Sequence, residues 1–433
     1  MKTITVLLAF FAITMAKKLE ERFAWNVMEY DWPNSDVMEH YIKTGKYIKD
    51  NNLPLGLEVW GDKMFITVPR WKAGVASSLN YIDLNSKDKS PKLRPYPSWE
   101  ANELPIEGDA PKLEDRIQTA AGRDHAAKPV AVGDGLKDNS TIISTFRVQA
   151  DECNRLWVMD TGLADILGKP NQIAPPAIVV FDLKTDQLLR RYDIPKEQIK
   201  EDTFFANIVV ESDADDCGNS FAYVPDLGSY GLVVYSLNEN KSWRVKHNFF
   251  HFDPLNGDFN IGGVNFQWTD GLFALAIGDK KSDGTRDIWF HPLASTKEFV
   301  VSNKVLQNET HVTGLNYYYD FKLIGDRGLN GQSSAEVYDK KTQNIFYTQL
   351  NKDAIGCWNT NKEYRPDSAG LVDSDSNALI FPNDLKVDKN GNLWVLSDRL
   401  PNFIYKTLDN DDVNYRIMRG TTSEIIKGTP CEN

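Results

Sequence analysis

PNDLKVDKNGNLWVLSDRL, residues 382–400, is the stretch on which the fold turns. Two short apolar runs flank Lys389-Asn390-Gly391, and an Asn-Gly pair supplies the positive backbone angles that a tight hairpin needs. Five earlier stretches repeat the polar turn and the apolar strand after it. Those strands lie at 64–68, 156–159, 221–224, 288–290 and 345–347, and the one in the quoted stretch at 393–396. Their turns carry Gly61-Asp62-Lys63, Asp151-Glu152-Cys153-Asn154, Asp215-Asp216-Cys217-Gly218, Asp283-Gly284 and Lys340-Lys341-Thr342-Gln343. The strand centres, at 65, 157, 222, 289, 346 and 394, are 92, 65, 67, 57 and 48 residues apart. This irregular repeat predicts an all-β chain folded as a six-bladed β-propeller, whose blades stack around an axis and bury aromatic faces against their neighbours.

The competing arrangement is two or three β-sandwich domains, the number that 433 residues would suggest. No linker rich in Pro, Gly or Ser divides the chain, so one propeller over 17–433 is expected. Helical periodicity is confined to the region around 37–49. The 92-residue spacing contains 103–137, rich in Ala, Gly, Pro and charge, which reads as a flexible insertion.

Residues 1–16 carry one lysine, an apolar run over 4–13 and the small-x-small end Thr14-Met15-Ala16. That is the pattern of a secretory signal peptide cleaved after Ala16. Lys17-Lys18 stop the run short of the roughly 20 apolar residues that a membrane span needs. Three glycosylation sequons agree with an extracellular destination, at Asn139, Asn240 and Asn308. Cys153, Cys217, Cys357 and Cys431 contain no CxxC pair, so two disulfides are expected rather than a zinc site, with three pairings open. Net charge is −12, from 49 basic and 61 acidic residues. A surface of that sign repels phosphate and anionic lipid, which argues against nucleic-acid and membrane partners.

Ligands of propellers usually sit at one mouth of the axial channel, so residues just after the repeated strands are the candidates. These are Asp160, Asp226, Asn383, Asp384 and Asp398. An Asp at any one of these places also serves simply to cap a turn. Signatures of catalysis are missing. The six histidines form no HExxH, Gly331-Gln332-Ser333-Ser334-Ala335 lacks the second glycine of a nucleophile elbow, and there is no GxGxxG or P-loop. No cofactor and no metal are expected.

Several segments resemble the insect yellow / major royal jelly protein family, which includes salivary yellow-related proteins of blood-feeding insects. They are FITVPRWKAGVASSLNYI (65–82), LRPYPSW (93–99), DECNRLWVMDTG (151–162), IGCWNT (355–360), FPNDLKVDKNGNLWVLSDRLPNF (381–403) and VNYRIM (413–418). LWVLSDRLP and the ending GTPCEN are similar to the yellow branch in particular. The resemblance implies a six-bladed propeller. Typical members carry two further cysteines, one in a QICPP-like segment where this chain has Ala174. Their joint absence implies the pairs Cys153–Cys217 and Cys357–Cys431. Salivary members bind biogenic amines in the channel, and their contacts fall here on Asn383, Asp398 and Leu400. The resemblance thus implies a protein of cuticle pigmentation and melanin chemistry, or one that binds a small aromatic amine or catechol. With the signal segment it is expected to be secreted, and a monomer is the expected state, which the sequence does not fix. Two alternatives stand beside it. One is a dopachrome-converting tautomerase or decarboxylase with Asp398 or Asp384 as base. The other is a metal-dependent lactonase-like propeller, suggested by Asn383-Asp384.

Overall fold

The six turn-and-strand units become the first hairpins of six four-stranded antiparallel sheets, and two of their turns show why the pattern recurs. Asp151 and Asp388 stand six residues before Trp157 and Trp394. Asp151 accepts the backbone N–H groups of Cys153 and Arg155 at 2.9 Å and the indole N–H of Trp157 at 2.8 Å. Asp388 does the same for Asn390, Asn392 and Trp394, at 2.9 Å each. One carboxylate thus ties the turn and satisfies the polar end of a ring whose body can then be buried.

The computed structural model describes residues 18–104 and 139–432. The expected signal segment 1–16 lies outside them, as does all but the start of the 103–137 segment. Blade 1 comprises Leu57–Trp60, Lys63–Thr67, Leu79–Asp83 and Arg94–Pro95. Blade 2 comprises Thr145–Ala150, Arg155–Asp160, Ala177–Asp182 and Leu188–Asp193. Blade 3 follows with Val209–Glu211, Phe221–Asp226, Gly231–Ser236 and Lys241–Lys246. Blade 4 is Leu272–Ile277, Asp287–Pro292, Lys297–Ser302 and Lys322–Asp326. Blade 5 is Glu336–Asp339, Asn344–Gln349, Ala354–Asn359 and Ala369–Ser374. Every strand expected from the sequence is the second of its blade.

Blade 6 takes its first three strands from the C-terminal end of the chain, Pro382–Val387, Asn392–Ser397 and Tyr415–Thr421. Its fourth is Glu20–Trp25, paired antiparallel with Tyr415–Thr421 from Glu20 against Arg419 to Trp25 against Tyr415. The N-terminal strand therefore closes the ring. A separate apolar cluster fills each interface between blades. Phe65, Leu156 and Phe181 join blades 1 and 2; Trp157, Ile178 and Tyr235 join blades 2 and 3; Tyr223, Ile288 and Phe290 join blades 3 and 4. Trp289, Tyr347 and Trp358 join blades 4 and 5, Phe346, Leu385 and Val395 join 5 and 6, and Phe23, Ile66 and Trp394 join 6 and 1. Each fully buried side chain of this size contributes about 1.5–3 kcal/mol.

Both disulfides pair as the family resemblance implies. Cys153–Cys217 links the hairpin turns of blades 2 and 3, and Cys357–Cys431 fastens the C-terminal end to the third strand of blade 5. The helix expected around 37–49 is shorter, Ser35–Lys43, capped by Asn34 accepting from the Val37 N–H. Gly45 at φ +70° ends it and a 3-10 turn, Lys49–Asn51, follows. Among the described residues no helix is long and apolar enough to cross a membrane.

Candidate functional site

The first strands of the six blades line the axis, and all enter it at the same end of the propeller. The Asp160, Asp226 and Asp398 positions lie at that end, where the second strands finish. Arg147, from the first strand of blade 2, plugs the channel there and is 1 % exposed. Its guanidinium donates to the Ser334 carbonyl at 2.9 Å, to the Asn383 carbonyl, and to Asn383 Oδ1 at 3.1 Å. Its Nε lies 3.6 Å from Asp384 Oδ1, and its Cζ lies 4.4 Å from the Phe273 ring centroid. One side chain thereby touches blades 4, 5 and 6 from blade 2. Asp384 also accepts the Leu57 N–H at 2.9 Å, tying blade 6 to blade 1.

Asn383, Asp398 and Leu400 come together as a group. Asp398 accepts from Asn383 Nδ2 at 2.6 Å and from the Leu400 N–H at 3.0 Å, at the start of helix Leu400–Tyr405. All three residues are buried. Burial pushes the Asp398 carboxyl well above the usual carboxylate range, opposed by the Asn383 and Leu400 hydrogen bonds and by Arg147. Its counterparts in blades 2 and 3 show what is different. Asp160 has Arg191 at 3.5 Å and Asp226 has Arg244 at 2.8 Å, each arginine coming from a fourth strand. The fourth strand of blade 6 is the N-terminal one, and its Arg22 donates instead to the Leu84 and Ser86 carbonyls. Asp160 accepts the N–H groups of Ile143 and Ser144, and Asp226 those of Phe204 and Ser229, so both organise turns.

Above the plug the channel end is aromatic. Phe146 packs edge-on against Trp71 and Phe204, each at 4.9 Å between centroids. Trp268 meets Phe381 at 5.9 Å, and Lys72 Nζ lies 4.0 Å over the Phe403 ring. Trp71, Phe204 and Trp268 are only partly buried. A two-stranded hairpin, Asp258–Ile261 with Val264–Gln267, is held to helix Leu400–Tyr405 by Asn402 Nδ2 donating to the Gly262 carbonyl at 3.1 Å. Phe381 and Arg399, which flank the Asn383–Asp398 pair in sequence, hold φ of +51° and +52°. Non-glycine residues adopt that region at an energetic cost, and such positions cluster at functional sites.

Among the described residues, two of the polar groups at this end that lack partners bear on a ligand. The Trp71 indole N–H is buried with no acceptor. Asp270, three residues before Phe273, is partly buried and its carboxylate makes no hydrogen bond or ion pair among the described residues. Burial pushes the Asp270 carboxyl up to about 6. Sequence reasoning missed Arg147, Trp71 and Asp270. Arg147 carried a signal, being a charge inside the apolar run Thr145-Phe146-Arg147-Val148, where only a paired arginine can be buried. Asp270 carried none, because Thr269-Asp270-Gly271 reads as an ordinary turn.

The remaining candidates take structural places. His247 stacks on Phe321 at 4.2 Å and its Nδ1 accepts the Phe249 N–H. Ser333 Oγ, at the nucleophile position of the elbow-like stretch, is buried, 3.2 Å from the Ala335 carbonyl and 3.3 Å from the Thr348 hydroxyl, and among the described residues no His, Asp or Glu side chain bonds it.

Compared with known proteins, residues 143–431 match the family model described as major royal jelly protein. "Protein yellow" of Drosophila subobscura is 38% identical over 420 residues, which cover 96% of this chain and 68% of that protein. The Drosophila yakuba protein of the same name is 38% identical over 420 residues, covering 96% of this chain and 71% of its own. Among solved structures, a luciferin-regenerating enzyme aligns at a TM-score of 0.42 and 12% identity, covering 87% of this chain and 92% of that one. A virginiamycin B lyase from Staphylococcus aureus aligns at 0.39 and 12%, covering 86% and 95%.

Proposed function

The chain belongs to the yellow / major royal jelly protein family, and from that premise we propose that it is a secreted yellow-type propeller that binds a small aromatic amine or catechol at the aromatic end of its channel, in the service of cuticle pigmentation. The observation that carries this reading is the Asp270 carboxylate, left without a partner at an end walled by Trp71, Phe204 and Trp268. A charge-assisted bond from a ligand ammonium to such a carboxylate contributes about 1.5–3 kcal/mol. A cation over an indole face adds about 0.5–2 kcal/mol. The unpartnered Trp71 N–H suits a catechol oxygen.

Asn383, Asp398 and Leu400 then form the floor of the site rather than its ammonium partner, because both Asp398 oxygens already accept bonds within the protein. Their part is to fix helix Leu400–Tyr405 and the Phe381 turn. Purified protein titrated with dopamine, serotonin and tyramine should show quenching of tryptophan fluorescence at micromolar ligand. Unchanged emission at millimolar concentrations of all three would remove the reading.

The dopachrome reading draws support from the same residue. A carboxyl raised to about 6 has the proton affinity suited to abstracting a proton next to a carbonyl near neutral pH. Faster dopachrome decay with the protein than with an Asp270→Asn variant supports it; equal decay with and without protein disposes of it. The lactonase reading is not carried forward. The Arg147 guanidinium sits against Asn383 and Asp384, the residues a divalent ion on the axis would need.

A further inference from the structure

One layer off the axis, between blades 4 and 5, three potential metal-binding side chains converge. His291 comes from the second strand of blade 4, Glu298 from its third, and Glu336 from the first strand of blade 5. Their side chains are 0 %, 3 % and 0 % exposed. His291 Nδ1 lies 3.0 Å from Glu298 Oε2 and 3.4 Å from Glu336 Oε2, and the three donor atoms all fall within 4.8 Å of one another.

The hydrogen bonding around this cluster is incomplete. Neither oxygen of Glu336 has a hydrogen-bond partner, nor does Glu298 Oε1. Among the described residues Arg327 is the arginine in contact; it donates through Nη1 to Glu298 Oε2, through Nε to the Gly331 carbonyl and through Nη2 to the Ser295 carbonyl. Arg327 thus bonds one carboxylate directly. Among the described residues the second, Glu336, has the imidazole as its ion-pair contact, neither of its oxygens is hydrogen-bonded, and Arg327 reaches it only through its field. A buried charge without a partner is costly, so the arrangement calls for a further positive charge among these atoms.

We propose that His291, Glu298 and Glu336 bind one divalent first-row transition ion, of the zinc or manganese class, which clasps blade 4 to blade 5. One imidazole and two carboxylates suit such an ion, whereas calcium takes six to eight oxygens. The two oxygens of Glu336 chelate from the blade 5 side, and the single nitrogen of His291 and Glu298 bind from the blade 4 side. Arg327 remains the outer partner that orients Glu298. The cluster is closed to solvent, which makes the site structural rather than catalytic. From the sequence no metal is expected, and His291, Glu298 and Glu336 are spread there over 46 positions with no motif.

The test uses the full secreted chain without a histidine tag. Elemental analysis of freshly purified protein should find about one equivalent of zinc or manganese per chain. Chelation during mild warming should lower Tm by several degrees, and added Zn2+ or Mn2+ should restore it. Glu336→Gln keeps the side-chain volume and should abolish both the retained ion and the restoration. Should that variant not fold, the wild-type comparison with and without chelator decides alone. Less than a tenth of an equivalent, with no effect of Zn2+ or Mn2+ on Tm, would overturn the proposal in favour of an imidazolium shared by the two carboxylates. So would a folded Glu336→Gln protein that retains as much metal as the wild type.

Discussion

Replacing Arg147 by Met removes the plug of the channel while keeping most of its side-chain volume. The cost follows from what the guanidinium touches. Two acceptors, the Ser334 carbonyl and Asn383 Oδ1, lose their donor, the Asn383 carbonyl keeps only the Ser334 hydroxyl, and Asp384 loses the cation 3.6 Å away. Asp384 keeps its bonds from the Leu57 and Leu385 N–H groups, so it stays in place as a buried charge without a counterion. Breaking a buried pair from one side costs about 3–5 kcal/mol, most of it the penalty of the charge left behind. The double variant Arg147→Met/Asp384→Asn removes that charge and should regain about 1.5–3 kcal/mol, because an amide oxygen still serves Leu57. Urea unfolding followed by tryptophan fluorescence measures all three proteins. A loss below about 1 kcal/mol in the single variant, or no recovery in the double one, would refute the reasoning, since the axis would then not be held by this pair.

Asp270 should lower stability where it is ionised. Its carboxyl is raised from 3.8 to about 6 by burial, so its contribution is fully present below the unfolded value near 4 and is lost as pH rises through about 6. Asp270→Asn should therefore gain on the wild type between pH 4 and 6 and hold a constant advantage above, of about 1 kcal/mol after allowance for its partial exposure; a flat difference across that range contradicts the assignment. Replacing Cys153 and Cys217 together by Ser frees a link spanning 64 positions and should cost about 2–4 kcal/mol in the same urea assay. A variant as stable as the wild type would show that the blade 2–blade 3 turns need no crosslink. Peptide mapping of the secreted protein should begin at Lys17 and find glycans on Asn240 and Asn308, both exposed; unmodified peptides at both positions would count against the extracellular route.

The parts of the fold that could be read from the sequence are those set by local contacts. A carboxylate that ties its own turn and the indole six residues on, as Asp388 does for Trp394, leaves a signature within ten residues. Asp151 does the same for Trp157, and the other four units could be counted from a polar turn followed by a short apolar strand. Ring closure could not be read, because Glu20–Trp25 pairs with a strand almost four hundred residues away and alternates no more clearly than many loops. The candidate site divides in the same way. Asn383, Asp398 and Leu400 lie in one hairpin and the turn after it, and they meet as sequence neighbours would. Arg147 reaches Asn383 across 236 positions, and the burial of Asp270 is set by the elements packed around it rather than by its own turn. Neither relation exists until the ring is closed.

The central claim is that a cationic aromatic ligand is held by Asp270 at the aromatic end of the channel. Calorimetric titration of dopamine into wild-type protein and Asp270→Asn at pH 7.5 tests it most directly. The wild type should bind with a stoichiometry near one, the variant about ten- to a hundredfold more weakly, matching the loss of one charge-assisted bond. Wild-type affinity should also fall as pH drops through about 6, where Asp270 takes up its proton. Equal affinity in the two proteins, or binding indifferent to pH across that range, would place the ligand elsewhere and contradict the account.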